Sequence, residues 1–213
     1  MQLVIGNKNY SSWSLRPWLL LHANGIRFSE VSESLTLHQI KDRLGKYSET
    51  CRVPVLIDGE LNVHDSLAIC EYLNEAHLNG KGWPTDLAQR AQARAIVAEM
   101  HSGFNALRGE MPMNCRLSKP LNISNDAKAD MVRIESIFNQ FAKPNGDGQL
   151  RLFGEFGIAD CFFMPIASRL NSYGFILAGT AGEYVASMLN HPSYQAWLVD
   201  ALTETEVVPE DEV

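Results

Sequence analysis

The amino-acid sequence predicts an α/β N-terminal domain followed by an all-α C-terminal domain. Up to about residue 76, short β-branched or alternating runs are interleaved with segments of helical periodicity. Clustered Gly and Pro over 79–86 then interrupt this pattern, which is typical of a linker. Beyond the linker, nearly every apolar run has helical spacing. We therefore predict one domain over residues 1–78 and a second over 87–213.

The N-terminal elements follow the order βαβα and then ββα. The predicted elements are a strand over 3–5, a helix from 13 that ends near 24–25, a strand over 28–33, a helix over 37–44, a hairpin over 53–63 and a helix over 66–76. We predict the hairpin turn at Asp58-Gly59, because this pair supplies the positive φ that tight hairpin turns need. The last of these helices places Ile69, Tyr72 and Leu73 on one apolar face.

The C-terminal half is predicted to consist of helices and a tail. Helical spacing covers 87–107, 126–141, 158–170, 181–189 and 194–202. Residues 203–213 hold five acidic residues and no basic one, which is typical of a flexible tail that extends into solvent.

Composition and charge exclude several classes of function. The chain of 213 residues has 18 Lys and Arg against 25 Asp and Glu, and the net charge of -7 would repel nucleic acid. The four cysteines form no CxxC pair and the six histidines have no metal-ligand spacing, so we predict no metal. The N-terminus lacks the features of a signal peptide and no apolar run is long enough for a membrane span. These observations predict a cytoplasmic protein without a membrane partner.

The first candidate site lies between the first strand and the first helix. Pro17 favours the first turn of a helix because it lacks an N–H group, which makes Ser14 a reasonable N-cap. Ser11 and Ser12 precede that turn, where the positive end of the helix dipole favours an anion by roughly 0.3 to 1 kcal/mol. All three serines could equally be capping residues.

The second candidate is the Arg52-Val53-Pro54 segment, which opens the hairpin. Proline removes a hydrogen-bond donor from a strand, so a cis Val53-Pro54 bond or an edge strand with a trans proline would each explain it. With a cis bond, the residue before the proline can turn its backbone groups toward an extended ligand.

The third candidate is Asp65-Ser66, at the start of the next helix. An Asp-Ser pair in this position is first of all a helix cap. Beside free helix N–H groups, the same pair can also bind an amino-acid head group. Asp65 would then accept the ammonium group and Ser66 would contact the carboxylate.

With the three candidate sites in this order, the sequence resembles the cytosolic glutathione transferase superfamily over nearly its whole length. Within that superfamily it is most similar to the bacterial zeta type, the maleylacetoacetate isomerases. Residues 11–16 are similar to its Ser-Ser-Cys-x-x-Arg motif, with Trp13 in place of the cysteine. Val53-Pro54 matches its cis-proline motif, and Asp65-Ser66 matches the pair that holds the γ-glutamyl end of glutathione. Residues 152–160 are similar to the segment before its buried central helix, although Gly157 stands where the family has Ser or Thr.

The resemblance implies a thioredoxin-like N-terminal domain and a function as a glutathione S-transferase. Glutathione would be the co-substrate, and a serine hydroxyl would stabilise its thiolate. The thiolate would then attack a small hydrophobic electrophile or reduce that electrophile. Ser11 is the first choice for this residue, because it aligns with the leading serine of the motif, and Ser12 is the second. Arg52 would lie near the glycyl carboxylate. The candidates to contact the electrophile are Trp13, Met100, Phe104 and Met111, although a series of Met and Phe at helical spacing also fits ordinary core packing.

A serine hydroxyl can supply the required free energy. Lowering the thiol pKa from about 8.5 to about 6.5 takes roughly 2.7 kcal/mol. One charge-assisted hydrogen bond contributes about 1.5 to 3 kcal/mol, and the helix dipole adds up to about 1 kcal/mol. A general base is therefore unnecessary. Arg16 could add positive potential or form an ordinary ion pair.

Two other functions fit the same pattern. A glutathione-dependent cis-trans isomerase of the maleylacetoacetate type is one, although Trp13 in place of cysteine disfavours it. A non-catalytic binding module is the other, because a fold does not determine a function. The resemblance also implies a homodimer and a role in detoxification.

Overall fold

The computed structural model describes residues 1–36 and 38–213, and its N-terminal part has the predicted βαβα-ββα order. The elements are β1 (Gln2–Gly6), α1 (Ser12–Ala23), β2 (Ser29–Glu33), α2 (Ile40–Gly45), β3 (Val55–Asp58), β4 (Leu61–His64) and α3 (Ser66–Ala76). Position 37, where the predicted second helix begins, lies outside the described residues. The observed order confirms the α/β prediction for this half of the chain.

The four strands form one mixed sheet in the order β2-β1-β3-β4. β1 pairs in parallel with β2 and antiparallel with β3, and β3 pairs antiparallel with β4 through the Asp58-Gly59 turn. Gly59 has φ 62, the left-handed conformation that the turn requires. Leu3, Val4 and Ile5 of β1 are fully buried, because this strand lies inside the sheet.

The first helix begins earlier than the position of Pro17 predicts. Ser11 is the N-cap, since its side-chain oxygen accepts a hydrogen bond from the N–H of Ser14. Pro17 is therefore the sixth residue of α1 and not part of its first turn. Ser14, the predicted cap, instead accepts a hydrogen bond from the N–H of Gly6, which ties the helix to the end of β1.

Helices dominate the C-terminal half, as predicted. They are α4 (Leu87–Ser102), α5 (Asn105–Glu110), α6 (Asn125–Phe141), α7 (Ile158–Ser172), α8 (Gly179–Leu189) and α9 (Pro192–Thr203). Two strands of three residues, β5 (Ala142–Pro144) and β6 (Leu150–Leu152), form an antiparallel pair that the sequence did not predict. In the part of the chain that the structure describes, no helix is long and apolar enough to cross a membrane.

The predicted helix over 87–107 is two helices, with a break at Gly103 and Phe104. A Cβ atom on Gly103 would lie 2.7 Å from the carbonyl oxygen of Glu99, so only glycine fits this close approach. Phe104 follows in the left-handed region, with φ 55. The chain therefore changes direction between α4 and α5, and α5 approaches the N-terminal domain beside the candidate site.

Helix α7 is the central helix of the second domain, and all of its residues except Asn171 are buried. Asp160 in its first turn accepts hydrogen bonds from the N–H groups of Leu152 (2.9 Å) and Gly157 (3.1 Å) and from the hydroxyl of Tyr184 (3.1 Å). Burial nevertheless raises the pKa of Asp160 to about 7. This single carboxyl group joins α7, α8 and β6.

Gly157, the N-cap of α7, packs directly against the linker. A Cβ atom here would lie 2.7 Å from the carbonyl oxygen of Gly82, which also accepts a hydrogen bond from the N–H of Ile158 at 3.0 Å. The close approach explains why glycine stands where the resembled family has Ser or Thr.

The C-terminal residues 204–213, here called the C-terminal strap, lie against the N-terminal domain. Glu204 accepts hydrogen bonds from the backbone N–H groups of Lys8 (2.7 Å) and Asn9 (2.9 Å). Glu212 accepts one from the Tyr10 hydroxyl at 2.5 Å. The prediction of a flexible tail in solvent disagrees with these contacts, because the acidic residues meet donors that lie nearly 200 positions earlier in the chain.

Candidate active site

A cleft of about 940 Å³ lies between the N-terminal α/β domain and the helical C-terminal domain. The N-terminal half contributes eight of the nine predicted site residues: Ser11, Ser12, Trp13, Arg52, Val53, Pro54, Asp65 and Ser66. The second half contributes α5, the segment after it and Arg169 of α7, and the C-terminal strap contributes Asp211. Three motifs that are far apart in sequence therefore share one concave surface.

Ser11 uses its hydroxyl group within the helix cap. Its oxygen accepts a hydrogen bond from the N–H of Ser14 at 3.3 Å, and its O–H donates to the Ser14 hydroxyl at 2.7 Å. The side chain is also buried, with the residue only 4% exposed. Both the donor and an acceptor site of Ser11 are thus occupied by its own helix.

Ser12 has a different environment, although it is the next residue. It is the first residue of α1, and its oxygen accepts a hydrogen bond from Nη2 of Arg169 at 3.4 Å. Its hydroxyl proton is donated to no acceptor among the residues that the structure describes. Ser12 therefore has a proton to donate to a group bound in the cleft.

Arg169 is a buried cation on the central helix. Its Nε donates to the carbonyl oxygen of Met111 at 2.7 Å, and its Nη1 donates to that of Pro165 at 3.2 Å. Burial and then the positive charge of Arg108 lower the pKa of Arg169 to about 10. It remains protonated at neutral pH, so it provides positive charge directly behind the Ser12 oxygen.

Trp13, which replaces the cysteine of the resembled motif, lies between two guanidinium groups. Its ring centroid is 4.1 Å from Cζ of Arg16 and 4.8 Å from Cζ of Arg108. The His101 ring meets Trp13 edge-on, with the centroids 5.2 Å apart. An indole ring attracts cations to its face, so Trp13 holds both arginines near the cleft.

Arg16 is fully buried behind Trp13 and does not line the cleft. Its Nη1 donates to the hydroxyl of Ser66 at 3.4 Å, and Phe162 covers its other side. Nε and Nη2 have no hydrogen-bond partner among the residues that the structure describes. Burial, followed by the charges of Arg108 and Arg169, holds the pKa of Arg16 well below its usual range.

Three guanidinium groups thus surround Ser12 and Trp13. In the described part of the chain, none of the three arginines (Arg16, Arg108 and Arg169) has a carboxylate within ion-pair distance. Partly desolvated positive charge without a counter-ion favours an anion at the same place. The cleft is therefore built to stabilise negative charge beside Ser12.

The segment before β3 has the cis Val53-Pro54 bond that the sequence allowed as one of two alternatives. Pro54 is buried, whereas Arg52 is exposed. All three residues line the cleft. The backbone of Val53 is therefore available to an extended ligand, and Arg52 can contact an anionic group from solvent.

Asp65 caps α3, and its second carboxylate oxygen reaches the other domain. Oδ1 accepts hydrogen bonds from the N–H groups of Leu67 (2.8 Å) and Ala68 (3.2 Å), while Oδ2 lies 3.1 Å from Nε2 of His101. Burial is the main cause that lowers the pKa of His101, so it is neutral at pH 7 and donates its Nε2 proton. Ser66 follows, nearly fully buried, at 1% exposure.

Phe104, the ninth predicted site residue, does not line the cleft. It is 7% exposed and packs in the hydrophobic core, because the break after α4 places it in the left-handed region. Met100 and Met111, which follow the same helical spacing, are also core residues. Met113, together with Asn105, Arg108, Gly109 and Pro112, lines the cleft in this part of the chain.

Sequence reasoning missed four site residues: His101, Arg108, Arg169 and Asp211. Arg169 had a usable signal, because an arginine within the apolar run of a buried helix requires a polar partner or a function. The other three lie on polar segments where a charged side chain is ordinary. In residues 1–36 and 38–213, no group of three or more His, Cys, Asp or Glu side chains is placed to hold a metal ion.

The N-terminal part of the chain is similar to a known family of domains. Residues 10–76 match the model of the glutathione S-transferase N-terminal domain. A probable maleylacetoacetate isomerase of Caenorhabditis elegans is 33% identical over 98 residues, which are 46% of this chain and 45% of that protein. The match therefore spans about half the length of this relative.

Two further proteins are similar over most of the chain. Glutathione S-transferase 1 of Dianthus caryophyllus is 28% identical over 187 residues, which cover 84% of this chain and 81% of that protein. The crystal structure of a glutathione transferase homolog from Burkholderia GL BGR1, with bound glutathione, superimposes with a TM-score of 0.72. It is 24% identical and the alignment covers 94% of this chain and 97% of that one, which shows that the fold is the same.

Proposed function

We propose that this chain is a glutathione transferase, which binds glutathione in the cleft and transfers the glutathionyl group to small hydrophobic electrophiles, or reduces them with its thiol. The observation that supports this most directly is the Ser12 hydroxyl at the start of α1, with Arg169 behind its oxygen. Arg108 and Arg169, which have no ion-pair partner among the described residues, line the same cleft as this donor.

The three motifs supply a binding mode for glutathione. The γ-glutamyl end would lie at Asp65, Ser66 and the N-terminus of α3, where a helix favours a carboxylate. The backbone of Val53 would pair with the cysteinyl residue, and Arg52 would contact the glycyl carboxylate. The sulfur would then lie near the start of α1, beside Ser12.

We assign the stabilisation of the thiolate to Ser12 and not to Ser11, the first choice from sequence. The Ser11 proton is donated to Ser14, whereas the Ser12 proton is available, and the Ser12 oxygen already accepts from a cation. A hydroxyl polarised in this way is a better donor to an anion. One charge-assisted hydrogen bond contributes about 1.5 to 3 kcal/mol, enough to lower the thiol pKa by roughly 1 to 2 units.

In the transfer reaction, the sulfur lone pair forms a bond to the electrophilic carbon while the leaving group departs with its own electron pair. The thiol proton is released to solvent on binding, because the cleft favours the anion. Ser12 donates its hydrogen bond to the ground-state thiolate, and Arg169 provides positive charge behind the Ser12 oxygen. No residue of the cleft is required to act as a general base.

A glutathione-dependent isomerase of the maleylacetoacetate type is the second candidate. The similarity to a probable maleylacetoacetate isomerase favours it, and so do the guanidinium groups at the cleft. Trp13 disfavours it, because an indole ring replaces the cysteine of that motif. A non-catalytic binding module, a homodimer, a cytoplasmic location and a role in detoxification are the remaining proposals from sequence.

Calorimetric titration with glutathione, followed by assays of turnover, separates these functions. We expect binding at sub-millimolar to millimolar glutathione and conjugation of a chromogenic aryl halide with loss of free thiol. An isomerase would instead convert a maleyl substrate to its trans isomer without consuming glutathione. Binding without either reaction would support the binding module, and absence of binding at millimolar ligand would overturn the proposed function.

A further inference from the structure

The C-terminal strap brings one carboxylate into the cleft. Two of its other acidic groups are held by the loop between β1 and α1, where Glu204 accepts from Lys8 and Asn9 and Glu212 accepts from Tyr10. Arg116 also donates to the backbone carbonyl oxygen of Glu206 at 3.0 Å, which holds the strap from the second domain. These contacts fix the short 3-10 helix Pro209–Asp211 at the edge of the cleft.

Asp211 lines the cleft together with Arg108, Met113 and Arg169, and it lies close enough to Arg169 to interact with its charge. Its carboxylate accepts no hydrogen bond from the residues that the structure describes, so it has no part in holding the strap. It interacts electrostatically with Arg169, and burial raises the pKa of Asp211 from its ordinary value. The side chain is therefore free to act on whatever binds beside it.

The charges at this end of the cleft have a simple balance. Arg108 and Arg169 contribute two positive charges to the lining, and Asp211 contributes one negative charge. Glutathione bound as the thiolate would add a second negative charge. With glutathione in place, the two cations are balanced, and the lining formed by these residues has no net charge to offer an acceptor.

We propose that Asp211 is a specificity-determining residue, which makes the cleft accept uncharged second substrates in preference to anionic ones. The inference rests on the proposed function, because the acceptor is the partner of bound glutathione. An anionic acceptor would be attracted by Arg108 and Arg169 but repelled by Asp211 and by the thiolate. Removing the Asp211 charge leaves one cation unbalanced, and this excess favours an anion.

The test uses two glutathione conjugates that differ in one charge. They carry a dinitrophenyl ring on sulfur with either a carboxylate or a carboxamide in the para position. Calorimetry gives the ratio of their dissociation constants in the wild-type protein and in Asp211→Asn. We expect the variant to shift this ratio about five- to tenfold in favour of the carboxylate, the effect of one unit charge several ångströms away.

Glu210→Gln is the matched control, because it removes the same charge from the neighbouring residue of the strap. Glu210 is exposed and does not line the cleft. The ratio of the two dissociation constants in Glu210→Gln should therefore stay within twofold of the wild-type value. Arg108→Gln should shift the ratio in the opposite direction to Asp211→Asn, because it removes a positive charge from the same lining.

The outcomes separate the two proposals. If glutathione and both conjugates bind but Asp211→Asn leaves the ratio within twofold of wild type, the specificity role is overturned and the proposed function stands. The role is also overturned if Glu210→Gln shifts the ratio as much as Asp211→Asn, because the effect would then be a general one of surface charge. If neither glutathione nor a conjugate binds, the proposed function fails and the specificity role fails with it.

Discussion

Replacing Ser12 with alanine tests the assignment of the thiolate donor. The variant removes one hydroxyl group at the start of α1 and leaves Ser11 as the N-cap. The contact with Arg169 is also lost, but at 3.4 Å it is a weak hydrogen bond, and Arg169 keeps its bonds to Met111 and Pro165. The fold should therefore be little affected.

The expected magnitude follows from the lost hydrogen bond to an anion. A loss of about 1.5 to 3 kcal/mol raises the pKa of the bound glutathione thiol by roughly 1 to 2 units. Below the wild-type thiol pKa, turnover per enzyme should fall by about 10- to 100-fold with an aryl halide. The dissociation constant of glutathione should change little, because most of its contacts lie elsewhere in the cleft.

Ser11→Ala provides the matched comparison one residue away. It removes the cap of α1 and the hydrogen bond to Ser14, so the free energy of unfolding should fall by about 0.5 to 2 kcal/mol. The pKa of the bound thiol should stay at its wild-type value. Thiolate absorbance in the ultraviolet, followed over pH, measures the thiol pKa, and urea unfolding measures stability.

If the assignment is right, Ser12→Ala raises the thiol pKa with little effect on stability, and Ser11→Ala lowers stability without changing the thiol pKa. A raised thiol pKa in Ser11→Ala together with an unchanged one in Ser12→Ala would transfer the role to Ser11. An unchanged thiol pKa in both would refute the serine mechanism and leave the buried arginines as the source of the positive potential.

Two further predictions concern the central helix and its cap. Gly157→Ala should lower the thermal midpoint by several degrees, because its Cβ would lie 2.7 Å from the backbone oxygen of Gly82; an unchanged or higher midpoint in calorimetry would contradict the close packing. For Asp160, burial raises the folded-state pKa to about 7, whereas in the unfolded chain it is near 3.9, so its ionisation favours unfolding between these values. The stability of the wild-type protein relative to Asp160→Asn should therefore decrease as pH rises from about 4 to 7, measured by urea unfolding at each pH, and a difference that is constant over this range would contradict the raised pKa.

Local signals in the sequence predicted the elements that depend on near neighbours. The Asp58-Gly59 turn requires only its own dihedral angles, and the Asp65 cap requires only the N–H groups of the next turn. Both are found where the pattern placed them. The helix over 87–107 was predicted without its break, because the carbonyl oxygen of Glu99 that excludes a Cβ at Gly103 is visible only in the folded chain.

The cleft itself could be predicted only in part. The resemblance brought together the three N-terminal motifs, and the structure places all of them on one surface. Phe104 was included as a possible wall residue on the helix that faces the first domain, with core packing as the alternative, and the structure places it in the core. Arg108 and Asp211 come from segments whose position depends on how the second domain packs, so no local pattern identified them.

By itself, the sequence determined the order of strands and helices in the N-terminal domain. It also identified the two serines, the Val53-Pro54 segment and the Asp-Ser pair that could carry chemistry. Periodicity, capping and turn formation act over a few residues, and these interactions are written in the local sequence. The tertiary structure decided which serine has a free proton, which arginines stand behind it, and that the acidic tail returns to the cleft. Those outcomes depend on contacts between residues far apart in the chain, where burial and charge act only after the domains have packed.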